Sequence, residues 1–287
     1  MNQLNVNLPE LPYAVSEAMN RLRINIKFCG KNTRKILLTS CQPNEGKSTI
    51  SSYLWKMLAE AGFPTVLVDV DLRKSVMKTR FQMDYDDDTT MGLNHYLSGM
   101  AEYEDVVYST NIPNGYMVPC TQLLENPSAL LEDVRFKELL NTLSENYRFV
   151  IIDSPPLGSV ADGALIASLC DGAVLVVRAG TTPRTLIKQS LYEIQQSGCK
   201  LLGTVLNRAD VKGRAYGKYG YGKYGYGYGY GYGYGYGKRY GYGYGRRYGY
   251  GYGYGYGYGE KKHKRRFRRH RETEETKTAD TGEKDKS

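Results

Sequence analysis

The chain has 287 residues, room for one large domain or two modest ones, and 28 of them are Tyr and 33 Gly. Residues 1–212 carry 21 Lys and Arg against 23 Asp and Glu, whereas residues 213–287 carry 18 against 7, a charge of +11. A uniformly basic protein is thereby excluded, and any attraction to nucleic acid, anionic lipid or acidic polymer belongs to the C-terminal part.

In chain order, Ser16–Asn25 has the spacing of an amphipathic helix. Lys35–Thr39 is a short aliphatic run that reads as a strand, and Ser48–Ala61 follows with apolar residues at Ile50, Leu54, Met57, Leu58 and Ala61. Gly62 and Pro64 are its stop signals. Thr65–Val68, Phe149–Ile152, Ala173–Val177 and Leu201–Leu206 complete a set of five strands. Asp84–Asp88 and Asn111–Pro127 read as surface loops. Continuous apolar strands alternating with helices predict an α/β fold: a mostly parallel sheet with helices on both faces and ligands at the carboxyl ends of the strands.

Residues 213–259 are a Tyr/Gly-rich tail, and 260–287 form a basic and then mixed-charge terminus. All 44 positions from Tyr216 to Gly259 are Tyr (19), Gly (19) or basic (6). Without aliphatic side chains this stretch cannot build an ordinary core, so disorder is expected there. Tyrosine at every second position would share one face of a strand, whereas the intervening glycines favour a flexible chain. Cys29, Cys41, Cys120, Cys170 and Cys199 lack metal-ligand spacing and suggest a reducing compartment. No run is apolar for long enough to cross a bilayer and no secretory signal pattern opens the chain, so a cytoplasmic location is expected.

Directly after the first strand comes Cys41-Gln42-Pro43-Asn44-Glu45-Gly46-Lys47-Ser48, the P-loop pattern G-x-x-x-x-G-K-S with Cys41 at the first glycine. Backbone N–H groups of such a loop converge on phosphate oxygens at a helix N-terminus. Lys47 would neutralise the β- and γ-phosphates of ATP, and the Ser48 hydroxyl would ligate Mg²⁺. The candidate nucleotide-binding residues are therefore Asn44, Glu45, Gly46, Lys47, Ser48 and Thr49. The second strand leads to Asp69-Val70-Asp71-Leu72-Arg73, two carboxylates two residues apart. The third, Phe149–Asp153, has the Walker B form, a strand-end carboxylate for Mg²⁺. Ser48, Asp71 and Asp153 are the candidate metal ligands. Asp69, backed by Asp71, is the candidate acceptor of a hydroxyl proton.

This constellation resembles the bacterial protein-tyrosine kinases that regulate capsule and exopolysaccharide synthesis. The resemblance spans roughly residues 10–210 and extends to Asn126-Pro127 with Leu130-Leu131, and to Gly203-Thr204-Val205-Leu206-Asn207. It implies a P-loop NTPase fold and a kinase that uses Lys47, Asp69, Asp71 and Asp153. It also implies an adenine site near Asn207 and Arg208, and autophosphorylation of a C-terminal tyrosine cluster such as Tyr248, Tyr250, Tyr252, Tyr254, Tyr256 and Tyr258.

Glu17, Arg21 and Arg23 resemble the family's Glu-x-x-Arg-x-x-Arg helix, which mediates ring-like self-association, although Asn20 holds the place of its first arginine. The other reading is an ordinary helix with charges facing water. The family resemblance further implies a transmembrane activator of the polysaccharide co-polymerase type that recruits the kinase to the inner face of the membrane. Expected protein substrates are sugar-nucleotide dehydrogenases or glycosyltransferases.

Two rivals stand beside it. A partitioning or positioning ATPase shares the P-loop but carries a signature lysine where this chain has Gln42. A nucleic-acid-binding or condensate protein would use the tail alone and leaves the three phosphate motifs unexplained. The basic block 261–271 also suits anionic lipid or an acidic polymer. As each phosphate adds roughly −1.5 to −2, about six or seven phosphotyrosines would cancel the tail's charge and act as a charge switch.

Overall fold

The computed structural model describes residues 3–83, 85, 89–158 and 162–209. The tail from residue 210 onward, its tyrosines and the basic block lie outside the described residues, as does most of the expected loop Asp84–Asp88.

The first half of the chain contains β1 (Gln3–Leu4), α1 (Tyr13–Lys27), β2 (Lys35–Ser40), α2 (Lys47–Glu60), β3 (Thr65–Asp69), α3 (Met77–Arg80), α4 (Leu93–Leu97) and α5 (Tyr103–Val106). The second half contains β4 (Tyr108–Thr110), β5 (Gly115–Val118), α6 (Ser128–Glu132), α7 (Val134–Asn146), β6 (Phe149–Asp153), α8 (Asp162–Ser168), β7 (Gly172–Arg178), α9 (Arg184–Gln196) and β8 (Leu201–Asn207). The strands form one sheet in the order β1-β4-β5-β3-β6-β2-β7-β8. Every neighbouring pair is parallel except β4 with β5.

Alternation along the central strands sends side chains to two cores. Leu37, Val66, Val68, Val150, Ile152 and Leu175 pack with α7 and α9 on one face. On the other, Ile36, Leu38, Leu67, Ile151, Val174 and Val176 pack against α1 and α2. Burying a side chain of this size contributes about 1.5–3 kcal/mol. Trp55, fully buried on α2, also donates its indole N–H to the Thr65 carbonyl at 3.1 Å, tying helix to strand. The helix ends where expected: Gly62 takes φ +85°, which L-residues adopt only under strain, and Phe63 and Pro64 lead into β3.

Two expectations are corrected: among the described residues the sheet has eight strands rather than five, the added ones being Gln3–Leu4, Tyr108–Thr110 and Gly115–Val118. Asn111–Pro127 is not simply a surface loop, because Gly115–Val118 is a strand parallel to β3, with Met117 and Val118 fully buried. Its apolar core is three residues long and flanked by Asn, Gly and Pro, so the turn composition conceals it.

Parallel strands β2, β3 and β6 end side by side at one edge of the sheet, with Asp69 in register with Asp153. That edge carries the site.

Candidate nucleotide and phosphoryl-transfer site

The P-loop connects β2 to α2. Asn44 and Gly46 both have positive φ, 63° and 96°. Asparagine tolerates this region and glycine takes it freely, so the loop folds back and presents the first turn of α2 to the cavity. A Cβ on Gly46 would lie 2.1 Å from Asn207 Nδ2. Cys41 is accommodated where glycine is usual because its side chain is buried in the core on the α9 side, near Ser190, and burial pushes its thiol pKa up. A Cβ on Gly158 would in turn stand 2.6 Å from the Cys41 carbonyl.

Glu45 is turned away from the cavity. Its Oε2 accepts from Cys41 N at 2.7 Å and Gln42 N at 3.0 Å, and Thr182 Oγ1 donates to Oε1. The carboxylate therefore holds the loop's shape, and only the Glu45 backbone is left for a ligand. Asn207 donates from Nδ2 to the Glu45 carbonyl at 2.8 Å, and its Oδ1 accepts from Arg208 N. Asn207 thus fastens the end of β8 onto the P-loop.

Lys47 is buried at the floor of the cavity. Its ammonium donates to Asp71 Oδ2 at 2.8 Å and lies 3.4 Å from Asp153 Oδ2 and 3.3 Å from Ser48 Oγ. Burial alone would lower its pKa, but Asp153 and Asp71 outweigh that and hold it protonated, above its ordinary value. Asp153 also accepts from Ser51 Oγ at 3.0 Å. Burial pushes the Asp153 carboxyl up despite Lys47 and Ser48.

Asp69 is 1 % exposed, accepts from Ser75 Oγ and, through Oδ1, from Asp71 N at 3.3 Å. Burial, with Asp153 adding to it, pushes its pKa to about 8. Of the three acids, Asp71 alone lines the cavity, a volume of about 180 Å³ bounded also by Pro43, Val76, Pro155 and Pro156. A second cavity of about 240 Å³ is lined by Asn44, Gly46, Thr49, Arg80, Asn207 and Arg208. Lys47, Ser48, Asp69, Asp71 and Asp153 are thus brought together, and Asn207 and Arg208 stand beside them.

Oxygen donors predominate, and the one Lys47 ammonium faces two buried acids, Asp71 and Asp153. This excess of negative charge suits a hard divalent cation. No cluster of three or more His, Cys, Asp or Glu forms a protein-only cage among the described residues. Mg²⁺ fits that arrangement, since it commonly takes one or two carboxylates together with phosphate and water.

Glu17, Arg21 and Arg23 lie apart, on α1. Glu17 and Arg21 are exposed, whereas Arg23 donates from Nε and Nη2 to Asn20 Oδ1 at 3.0 and 2.7 Å. Sequence reasoning assigned no role to Arg73, Lys74 or Arg80, all of which line the phosphate cavity. The signal for Arg73 was its place in the Asp-x-Asp-x-Arg run; Arg80 lies in no motif.

Fold and site together define a P-loop nucleotide-binding domain. Residues 33–195 match the family described as an AAA domain. The chain is 42% identical over 208 residues to tyrosine-protein kinase CpsD of Streptococcus agalactiae, covering 72% of this chain and 90% of the relative. It is 31% identical over 208 residues to tyrosine-protein kinase YwqD of Bacillus subtilis, covering 71% and 86%. Among solved structures, the chimerical protein CapA2B2 superposes with a TM-score of 0.64 at 33% identity, covering 71% of this chain and 92% of that one. The chain belongs to the bacterial tyrosine-protein kinases of capsule and exopolysaccharide synthesis, built on an AAA domain.

Proposed function

We propose that this kinase transfers the γ-phosphoryl group of Mg-ATP to tyrosine hydroxyls of its own C-terminal segment, and thereby regulates capsule or exopolysaccharide synthesis and export. The observation that carries the reading is the Lys47 ammonium held between Asp71 and Asp153 beneath the P-loop. Loop amides and Lys47 would bind the phosphates, which is most of what phosphoryl transfer requires. Ser48 and Asp153 would hold Mg²⁺, which supplies charge neutralisation on the phosphate oxygens when bound. The proton acceptor in this reading is Asp71, the acid on the cavity wall, rather than Asp69, the first candidate from the sequence, because Asp69 is buried and does not line the cavity. Asp69 behind it holds the Asp71 amide and so fixes its approach.

The acceptors in this reading are tail tyrosines, among them Tyr248 to Tyr258, presented by a neighbouring subunit. The exposed α1 face, with Glu17, Arg21, Tyr13 and Phe28, is where subunits would meet. Asn20 occupies Arg23 there, which would weaken or rearrange the contact. Among the described residues no helix is long and apolar enough to cross a membrane. Recruitment from the cytoplasm to the membrane would accordingly fall to a separate transmembrane activator. The likeness to CapA2B2 supports the kinase assignment on which this partner rests.

Incubation of the full chain with Mg-ATP, followed by phosphotyrosine blotting and a mass-spectrometric map, tests the reading. Tail phosphotyrosine that disappears with Lys47→Met is expected. Its absence from the wild type, or its persistence in the variant, would overturn the proposal.

A further inference from the structure

Arg80 ends the short helix α3, and the residues around it are firmly placed. Met77 and Phe81 are buried in the core, the Arg80 amide donates to the Val76 carbonyl at 3.0 Å, and the Phe81 carbonyl accepts from Asn7 N at 3.0 Å. From this fixed base the exposed guanidinium reaches the first turn of α2, where Nη1 donates to Thr49 Oγ1 at 3.3 Å. Arg80 lines both cavities, the one floored by Lys47 and the one beside Asn207, and so marks their junction.

The neighbouring arginine differs. Arg73 lines the phosphate cavity too, but its guanidinium is spent on Asp162, the Glu125 carbonyl and Ser128. Arg80 has no carboxylate within ion-pair distance among the described residues. A planar cation held over a helix N-terminus without an acidic partner is matched chemically to a phosphate group, which it can bind through two parallel N–H···O bonds.

We propose that Arg80 is a nucleotide-binding residue that grips the α-phosphate of a nucleoside di- or triphosphate at the junction of the two cavities. This rests on the nucleotide reading above. A nucleotide whose terminal phosphates lie on residues 44–48 and whose base extends toward Asn207 must pass Thr49 and Arg80 at its α-phosphate. Arg80 then exchanges a bond to the neutral Thr49 hydroxyl for bonds to an anionic phosphate oxygen. It adds ground-state affinity shared by ATP and ADP and leaves the chemistry at the γ-phosphate to Lys47.

Calorimetric titration of the full chain with Mg-ADP and with Mg-ATP, for the wild type, Arg80→Ala and Arg80→Lys, tests this. Loss of one exposed charge-assisted bond is expected to weaken both ligands by the same factor, about tenfold, in Arg80→Ala. A smaller loss is expected in Arg80→Lys, which keeps the charge without the fork and serves as the readout if the alanine variant misfolds. The KM for ATP should rise while the rate at saturating ATP stays within about twofold of the wild type, since uniform binding has been removed. Unchanged affinities, or a loss confined to ATP, would overturn the assignment. Should the wild type bind neither nucleotide, the nucleotide reading itself fails, a result distinct from a failure of Arg80 alone.

Discussion

Arg73 and Asp162 are 89 residues apart in the chain and 2.8 Å apart in space. Asp162 is almost fully buried at the start of α8, and Ser128 Oγ donates to its other oxygen at 2.6 Å. The pair therefore locks the segment leaving β3, which carries Asp71, to α6 and α8. Removing the cation strands a buried carboxylate, whereas removing the acid frees a guanidinium that reaches water. Arg73→Ala should cost about 3 kcal/mol, the low end for breaking a buried pair because Arg73 is 30% exposed. Asp162→Asn should cost less. Equal losses in chemical denaturation would contradict this account.

Gly46 is constrained twice, by its φ of +96° and by the Asn207 amide facing it. Gly46→Ala is expected to abolish measurable Mg-ADP binding. The double variant Gly46→Ala, Asn207→Ala removes the steric clash but not the backbone strain, so it should remain impaired. Full recovery of binding in the double variant would show that sterics alone matter.

Stability without nucleotide should depend on pH through Asp69. Its carboxyl is raised from 3.8 to about 8 on folding, so its contribution favours the folded state below pH 4 and is lost as pH rises through 8. The raised Asp153 works in the same direction. Asp69→Asn keeps both hydrogen-bonding positions and removes the charge. Its Tm relative to the wild type should therefore climb between pH 5 and pH 8.5. A difference that is constant across that range would refute the buried-charge explanation.

The +11 of residues 213–287 yields a further expectation. Full-length protein should bind anionic liposomes at low salt and be released after incubation with Mg-ATP, once about six or seven tyrosines carry phosphate. Unchanged retention after phosphorylation would eliminate a charge switch.

The features legible in the chain were those written contiguously. The five longest strands each carry contiguous apolar residues, interrupted only in β8 by Gly203 and Thr204, and the P-loop and the acids at Asp69, Asp71 and Asp153 occupy the tips of three of them. The strand at Gly115–Val118 was hidden because its neighbours are turn formers and its partner, β3, is distant in sequence. Glu45 sits inside the phosphate motif, yet its side chain points inward to Cys41, Gln42 and Thr182, a direction that no motif encodes. The pairing of Arg73 with Asp162 and the reach of Arg80 to Thr49 depend on folding before they exist.

Cys41 stands where the first glycine of the motif is expected, and the cradle is nonetheless complete. The sharp backbone reversal is supplied by Asn44 and Gly46, which frees the entry position to carry a side chain that plugs the interior. Relatives could therefore vary at that entry position as long as the new group is small and apolar enough to be swallowed. Pattern searches insisting on glycine there would overlook working nucleotide cradles.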